Sequence, residues 1–208
     1  MILRTVHSTD PTFLRQLRPG CVWGAVLWLC LLTGCERKPA TTLESVVNLA
    51  GERVDALAAS DAKATVLVFL GVECPISNRY APELRRLDGK FSGSGIRWWL
   101  VYPGEHYSTE AIRRHLREYN LPDCALRDPS LALTRKSSAS VTPEAAVFLP
   151  DGRLAYHGRI DDRFPDLGTA RPEPTQRDLE AVLETILAGK PLVSSQTKAV
   201  GCFIPGLP

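Results

Sequence analysis

The chain has 208 residues, 44% of them hydrophobic and 23% charged, with 25 basic against 23 acidic side chains. Three of the basic residues and one of the acidic ones precede Cys35, leaving 22 of each from there on, so the remainder is neutral. It lacks the like-charge runs of a nucleic-acid surface or a polybasic membrane patch, and setting aside the first 34 of 208 residues leaves 174, enough for one domain with a full core.

Arg4, Arg15 and Arg18 come before an apolar core, CVWGAVLWLCLL, that is too short for a comfortable membrane span, and LTGC follows at once. The pattern predicts a signal peptide over residues 1–34. Leu32, Thr33, Gly34 and Cys35 resemble the lipobox of bacterial lipoproteins. That resemblance implies cleavage before Cys35, lipidation of Cys35, and a chain held on a cell-envelope membrane facing the periplasm or exterior. An uncleaved short anchor helix is the alternative, and either arrangement exposes the domain to an oxidising compartment. Of six cysteines, Cys21 and Cys30 leave with the leader and Cys35 carries lipid, so Cys74, Cys124 and Cys202 remain for chemistry.

Residues 35–44 read as a polar tether, 45–190 as the domain, and 191–208 as a tail carrying Cys202. In chain order, SVVNLAGERVDAL predicts a small hairpin around Ala50 and Gly51, and ATVLVFLG a strand buried on both faces. From Pro75 to about Leu87, Ile76, Tyr80, Leu84 and Leu87 recur at helical spacing, with Gly89 as the stop. SGSG is a turn, IRWWLVYP a second buried strand, and Ser108 caps a helix running through Tyr119. CALRDP predicts a short strand, LALTRK a helical turn, and EAAVFLPDGRLAYHGRI a hairpin. The last helix lies in TQRDLEAVLETILAG, with Thr175 and Asp178 forming a capping-box-like start and Gly189 the end.

This order predicts an α/β fold with a mixed central sheet and helices on both faces. It delivers Cys74 to a helix N-terminus at the carboxyl edge of the sheet, where ligands of open sheets bind. Thiols so placed fall from about 8.5 into the range of roughly 3.5 to 7.5, which makes Cys74 the candidate nucleophile. An inert buried cysteine is the plain alternative.

The pieces FLGVECPISNRYAPEL, LRDPSLALTRKSSASVTPEAAVFLPDGRLAYHGRIDDR and TKAVGCFIP are similar to the thioredoxin-like superfamily. Within it they resemble the redoxin branch of alkyl hydroperoxide reductases, thiol-specific antioxidants and periplasmic thioredoxin-like reductases. The resemblance implies a thioredoxin-like fold, a thiol oxidoreductase activity, a cis bond before Pro143 beside Cys74, and no cofactor. It implies as partners a disulfide or hydroperoxide substrate, protein or small molecule, and an external thiol reductant. One departure stands out, because Ser77 occupies the place of a second cysteine, so Cys74 needs another resolving group. The peroxidase signature is also incomplete, with Gly71 where its hydroxyl residue would stand.

Cys124 opens its strand four residues before the end nearest Cys74, more than ~10 Å away at about 3.3 Å per residue, and reads as core. Cys202, on a flexible segment from Lys190 with Gly201 and Gly206 nearby, is the resolving candidate. A structural Cys74–Cys202 disulfide or an unpaired thiol are its alternatives. In GRIDDR the returning hairpin strand brings Arg159, Asp161, Asp162 and Arg163 toward the same edge, with Arg163 a candidate to hold a thiolate or peroxide oxygen. A solvated loop of internal ion pairs is the competing reading. His115 and His157 read as structural, while His106 sits at the correct edge. With Cys74 and Cys202 it would make a soft metal site, although no close Cys/His spacing supports one. A copper-handling module or a scaffold with a vestigial site are therefore the other two function classes.

Overall fold

A computed structural model describes residues 46–58, 61–192 and 195–207. The expected signal peptide, Cys35 and the tether lie outside the described residues. Among those described, no helix is long and apolar enough to cross a membrane.

The first hairpin consists of β1 (Val47–Asn48) bridged to Arg53. The Asn48 side chain accepts from the Ala50 and Glu52 backbones to hold its turn. The buried run ATVLVF is β2 (Ala64–Phe69). Its residues alternate between two cores: Val66 and Val68 join one cluster, Leu67 and Phe69 the other. A strand buried on both faces reads as a continuous apolar run for this reason.

The single helix expected from Pro75 to Leu87 is two helices, α1 (Pro75–Arg79) and α2 (Ala81–Phe91), meeting at Tyr80. Pro82 is the physical cause, since it has no N–H to donate back and its ring crowds the preceding turn. Gly89 does not stop α2. Phe91, 2% exposed, lies beyond it in the core, and burying such a side chain gains about 1.5–3 kcal/mol against roughly 1 kcal/mol for a helical glycine.

The strand β3 (Ile96–Pro103) and helix α3 (Thr109–Glu118) fall where the sequence puts them, and Ser108 Oγ accepts from Ala111 N at 3.1 Å. Next come β4 (Ala125–Asp128) and α4 (Ala132–Lys136). The Asp128 carboxylate, fully buried, caps α4 through the backbones of Ala132 and Thr134. A two-residue strand, β5 (Val141–Thr142), precedes the hairpin of β6 (Glu144–Phe148) and β7 (Leu154–Gly158).

The last helix, α5 (Asp178–Leu187), corrects the expected capping box. Its N-cap is Arg177 with no side-chain cap bond. Thr175 is drawn instead to Asp162, and Asp178 to Arg159 at 2.8 Å. Gly189, at φ 64°, follows the end of this helix as expected.

The tail is also corrected: in the described residues it is not a loose segment but two short strands. β8 (Ser195–Gln196) pairs parallel with β7, and β9 (Cys202–Phe203) pairs antiparallel with β5. The main sheet has the order β1-β4-β3-β2-β6-β7-β8, with β2, β3 and β4 mutually parallel and β6 and β7 antiparallel. Helices α1, α2, α3 and α5 supply one core cluster, while α4 and Ile204 belong to the other, so both faces are covered.

Candidate active site

Three segments converge at the carboxyl edge of β2 and β3. The first is the turn from β2 into α1. Cys74 is the N-cap of α1, 4% exposed, with φ −78° and ψ 112°, and its sulfur accepts from Ser77 N at 3.5 Å. Pro75 at the first helical position leaves this orphan donor set undisturbed. Because α1 is short, direct N–H donors do more for a thiolate here than a long helix dipole would.

The second segment is β5. As a thiol, Cys74 donates to the Thr142 carbonyl at 3.0 Å, and the Thr142–Pro143 bond is cis. The third is β9, where register opposite Thr142 places Cys202 beside Cys74. Cys74, Cys124 and Cys202 are all free thiols.

The electrostatics of the pair are asymmetric. Burial pushes the Cys74 thiol up, but hydrogen bonds from the Cys202 side chain and from Ser77 outweigh it, and the net shift is downward. The carbonyl of Thr142 favours the protonated form, so ionisation trades that bond for the donors of Ser77 and Cys202. Cys202 moves the opposite way, up to about 11, through burial, its bond to Cys74 and the charge there. Cys124, just before β4, is pushed up to about 11 by burial and has no comparable donors.

Two buried links hold the Cys74 helix in place. His115 joins Tyr102 through Nδ1 and the Asn78 side-chain oxygen through Nε2, both at 2.8 Å, while Asn78 donates to the Val72 carbonyl. With the amide oriented that way, Nε2 is the donor and Nδ1 accepts from Tyr102. Burial holds His115 below its ordinary value, in keeping with a neutral ring. On the other side the Tyr80 hydroxyl donates to Asp161 Oδ1 at 2.6 Å. Burial raises both groups.

Arg163 does not reach the thiols. Its Nη2 donates to the Pro172 carbonyl at 2.9 Å, and it is absent from the cavity above Cys74. Apart from Asp161, which accepts from Tyr80, the rest of GRIDDR turns into its own loop. Arg159 pairs with Asp178, and Asp162 accepts from Thr175 and Gln176. The donors of Thr175 and Gln176 bring the Asp162 carboxyl down to about 2. The ion-paired loop was one of the two sequence readings of this segment, and Arg159 with Asp178 and Asp162 with Arg171 fit it, whereas Asp161 faces Tyr80.

The cavity over Cys74 has a volume of about 280 Å³ and is lined by Glu73, His106, Tyr107, Thr142, Cys202 and Phe203, among others. Sequence reasoning passed over Tyr107 and Thr142. Tyr107 follows β3 in a loop without periodicity, and the available signal was its position at the correct sheet edge beside His106. A Cβ added at Gly71 would lie 3.0 Å from Thr142 Oγ1 and 3.1 Å from the Tyr107 hydroxyl. Both hydroxyls therefore occupy the space beside Gly71. Burial, then the charges of Glu73, Cys74 and Cys202, raise the Tyr107 phenol above its ordinary value. His106 lines the same cavity, but no cluster of three or more His, Cys, Asp or Glu is spaced for a metal ion among the described residues.

No family model matches the chain, and no curated protein matches it. Among solved structures, an uncharacterized conserved protein from Geobacillus kaustophilus superposes with a TM-score of 0.65 at 27% identity, covering 79% of this chain and 88% of that one. A hypothetical protein from Sinorhizobium meliloti 1021 gives 0.64 at 23% identity over 76% and 88%. A thioredoxin-like protein from Aeropyrum pernix gives 0.51 at 18% identity over 68% and 88%. The fold is thioredoxin-like. In this thioredoxin-like frame the strand-to-helix cysteine is Cys74, the α1 position three residues on is Ser77, and a second thiol reaches the site from the far end of the chain.

Proposed function

We propose that the chain is a thiol-disulfide oxidoreductase of the redoxin type, with Cys74 as nucleophile and Cys202 as resolving thiol. The observation that carries this reading is the opposed shift of two adjacent free thiols, one lowered and one raised to about 11. A thiolate attacks far faster than a thiol.

In the first step Cys74 Sγ, as thiolate, attacks one sulfur of a disulfide RS–SR. A Cys74–S–SR bond forms and RS⁻ leaves. The negative charge that helped hold Cys202 protonated is then gone, leaving burial as the remaining cause of its elevation. Cys202 passes its proton to the first RS⁻, attacks Cys74 Sγ and expels the second RS⁻, which takes a proton from solvent, leaving a Cys74–Cys202 disulfide. The protein is oxidised by two electrons, RS–SR is reduced to two thiols, and an external thiol reductant returns the pair. Tyr107, its phenol raised by burial, is a hydroxyl-bearing side chain at the cavity wall that can donate to a departing thiolate.

A hydroperoxide is the second reading, favoured by the hydroxyls of Thr142 and Tyr107 that fill the space beside Gly71. There Cys74 would take one oxygen as sulfenic acid, releasing ROH, and Cys202 would condense with it to the same disulfide and water. In both readings the leader and Cys35 place the activity on a cell-envelope membrane through lipid. The sequence pattern supports that placement.

The test treats the reduced full chain with one equivalent of cystine or of cumene hydroperoxide and maps disulfides by mass spectrometry. A Cys74–Cys202 linkage, formed with either oxidant and lost in Cys74→Ser, is the expected result. A Cys74 left unmodified by both oxidants overturns the assignment.

A further inference from the structure

The strand edge beside the Cys74 sulfur is already occupied. The sulfur contacts the backbone of β5 at Thr142, and β5 is paired with the chain's own β9, Val141 opposite Phe203 and Thr142 opposite Cys202. An extended polypeptide docks on a sheet by adding a strand to a free edge, where main-chain bonds supply the affinity. At β5 that position belongs to residues 202 and 203.

The strap is fastened at three points. At Gly201 a Cβ would lie 2.1 Å from the Thr142 carbonyl oxygen, so only glycine allows the approach. Ahead of it, Thr197 Oγ1 bonds the Tyr156 hydroxyl at 2.7 Å and Arg159 N at 3.0 Å, and Thr197 N donates to the His157 carbonyl. Gly158, at φ 140°, makes room for it, since a Cβ there would meet the Thr197 backbone at 2.3 Å. Beyond the thiol, Ile204 N donates to the Ser140 carbonyl and its side chain is buried in the second core cluster.

What stays open at the sulfur is the cavity of about 280 Å³, with Phe203, 84% exposed, standing at its rim. Small-molecule sites span roughly 300–1,000 Å³, so this one is at their lower end. A strand of three residues already runs ~10 Å and needs a backbone edge as well.

We propose that β9 is a built-in occupant of the polypeptide edge, and that the oxidant of Cys74 is a low-molecular-weight disulfide, of the size of cystine, and not a disulfide held in an extended polypeptide. This rests on the thiol-disulfide reading above and follows the same two steps, RS–SR being reduced to two small thiols as the Cys74–Cys202 bond forms.

The experiment compares two disulfides on the reduced full chain. One is cystine; the other is a ten-residue unstructured peptide dimerised through a single central cysteine. The readout is the rate at which Cys74 loses its alkylatable thiol. Cystine is expected to react at least about tenfold faster, a factor equivalent to about 1.4 kcal/mol. Gly201→Val forces β9 off Thr142 and takes the Cys202 donor with it, which slows Cys74 toward both disulfides alike. The variant is therefore read by the ratio of the two rates, and the peptide dimer should gain at least about tenfold relative to cystine. A chain ending at Ala199, which lacks Cys202 as well, opens the same edge and is read by the same ratio of rates should the valine variant fail to fold. A peptide dimer that matches cystine on the unmodified chain overturns the proposal and leaves the thiol reading standing, as does discrimination that persists unchanged in both opened variants. Failure of both disulfides to modify Cys74 on the unmodified chain overturns the thiol reading and takes this inference with it.

Discussion

Cys74 and Cys124 stand at opposite ends of the two parallel strands that flank β3: one follows the carboxyl end of β2, the other precedes the amino end of β4. Burial raises both thiols, yet one ends below the ordinary value and the other at about 11. The difference is the company of donors. Ser77 and Cys202 aim hydrogen-bonding groups at Cys74, whereas Cys124 has only its exchange with the Leu100 backbone. Desolvation alone therefore raises a thiol in this protein, and directed N–H and S–H groups bring one down.

The strongest way to break that comparison is to exchange the roles of the two thiols. Cys74→Ser should lower the rate of reaction with cystine by more than about 100-fold, because a hydroxyl is not a thiolate nucleophile, while Cys124→Ser stays within about twofold. Comparable losses in both variants, measured by stopped-flow thiol release, would mean that the donors around Cys74 confer nothing.

The next effect separates donor from resolver at residue 202. In Cys202→Ala the pH midpoint for alkylation of Cys74 should rise, since its largest stabilising hydrogen bond is removed. Cys202→Ser, which keeps a donor, should leave the midpoint nearer its original value. Both variants should stop at the mixed disulfide. The sign follows from the native state: a depressed pKa keeps Cys74 ionised at pH values where Cys202 and Cys124, each at about 11, remain protonated. Alkylation in the unmodified chain should accordingly begin at Cys74 as the pH rises.

A smaller shift in the same direction is expected for Ser77→Ala, which removes the side-chain donor and leaves the Ser77 N–H in place. The smallest effect belongs to Arg163→Ala. Its guanidinium bonds Pro172, so the cystine rate should change by less than about twofold. A loss of tenfold or more there would restore the arginine to the site.

The sequence made the long elements legible because each carries a pattern that burial alone explains. The run ATVLVF reads as a two-faced strand, and Ile112 and Leu116 mark the inner side of α3. Cys74 was legible for the same reason, since a strand, a cysteine and a proline in series fix its place at a helix start. The break at Tyr80 was not, because Ile76, Tyr80, Leu84 and Leu87 keep helical spacing across it and the local effect of Pro82 competes with that pattern. Nor was the start of α5, where Thr175 and Asp178 have better partners in Asp162 and Arg159, residues far away in sequence. The strands β8 and β9 have two residues each, below the length at which any period exists, and their pairing depends on Thr142 and Tyr156. Cys202 could be picked out as a residue, but not as part of a strand.

That brevity has a kinetic meaning for the molecule as a whole. Protection of an amide reflects the cheapest opening that frees it, and a two-residue ladder can open while the parallel core of β2, β3 and β4 stays shut. Amides of β5 and β9 should then exchange through local fluctuations orders of magnitude more frequent than global unfolding. Access of an extended polypeptide to the β5 edge would be set by this small, fast motion, and a melting temperature would carry no information about it.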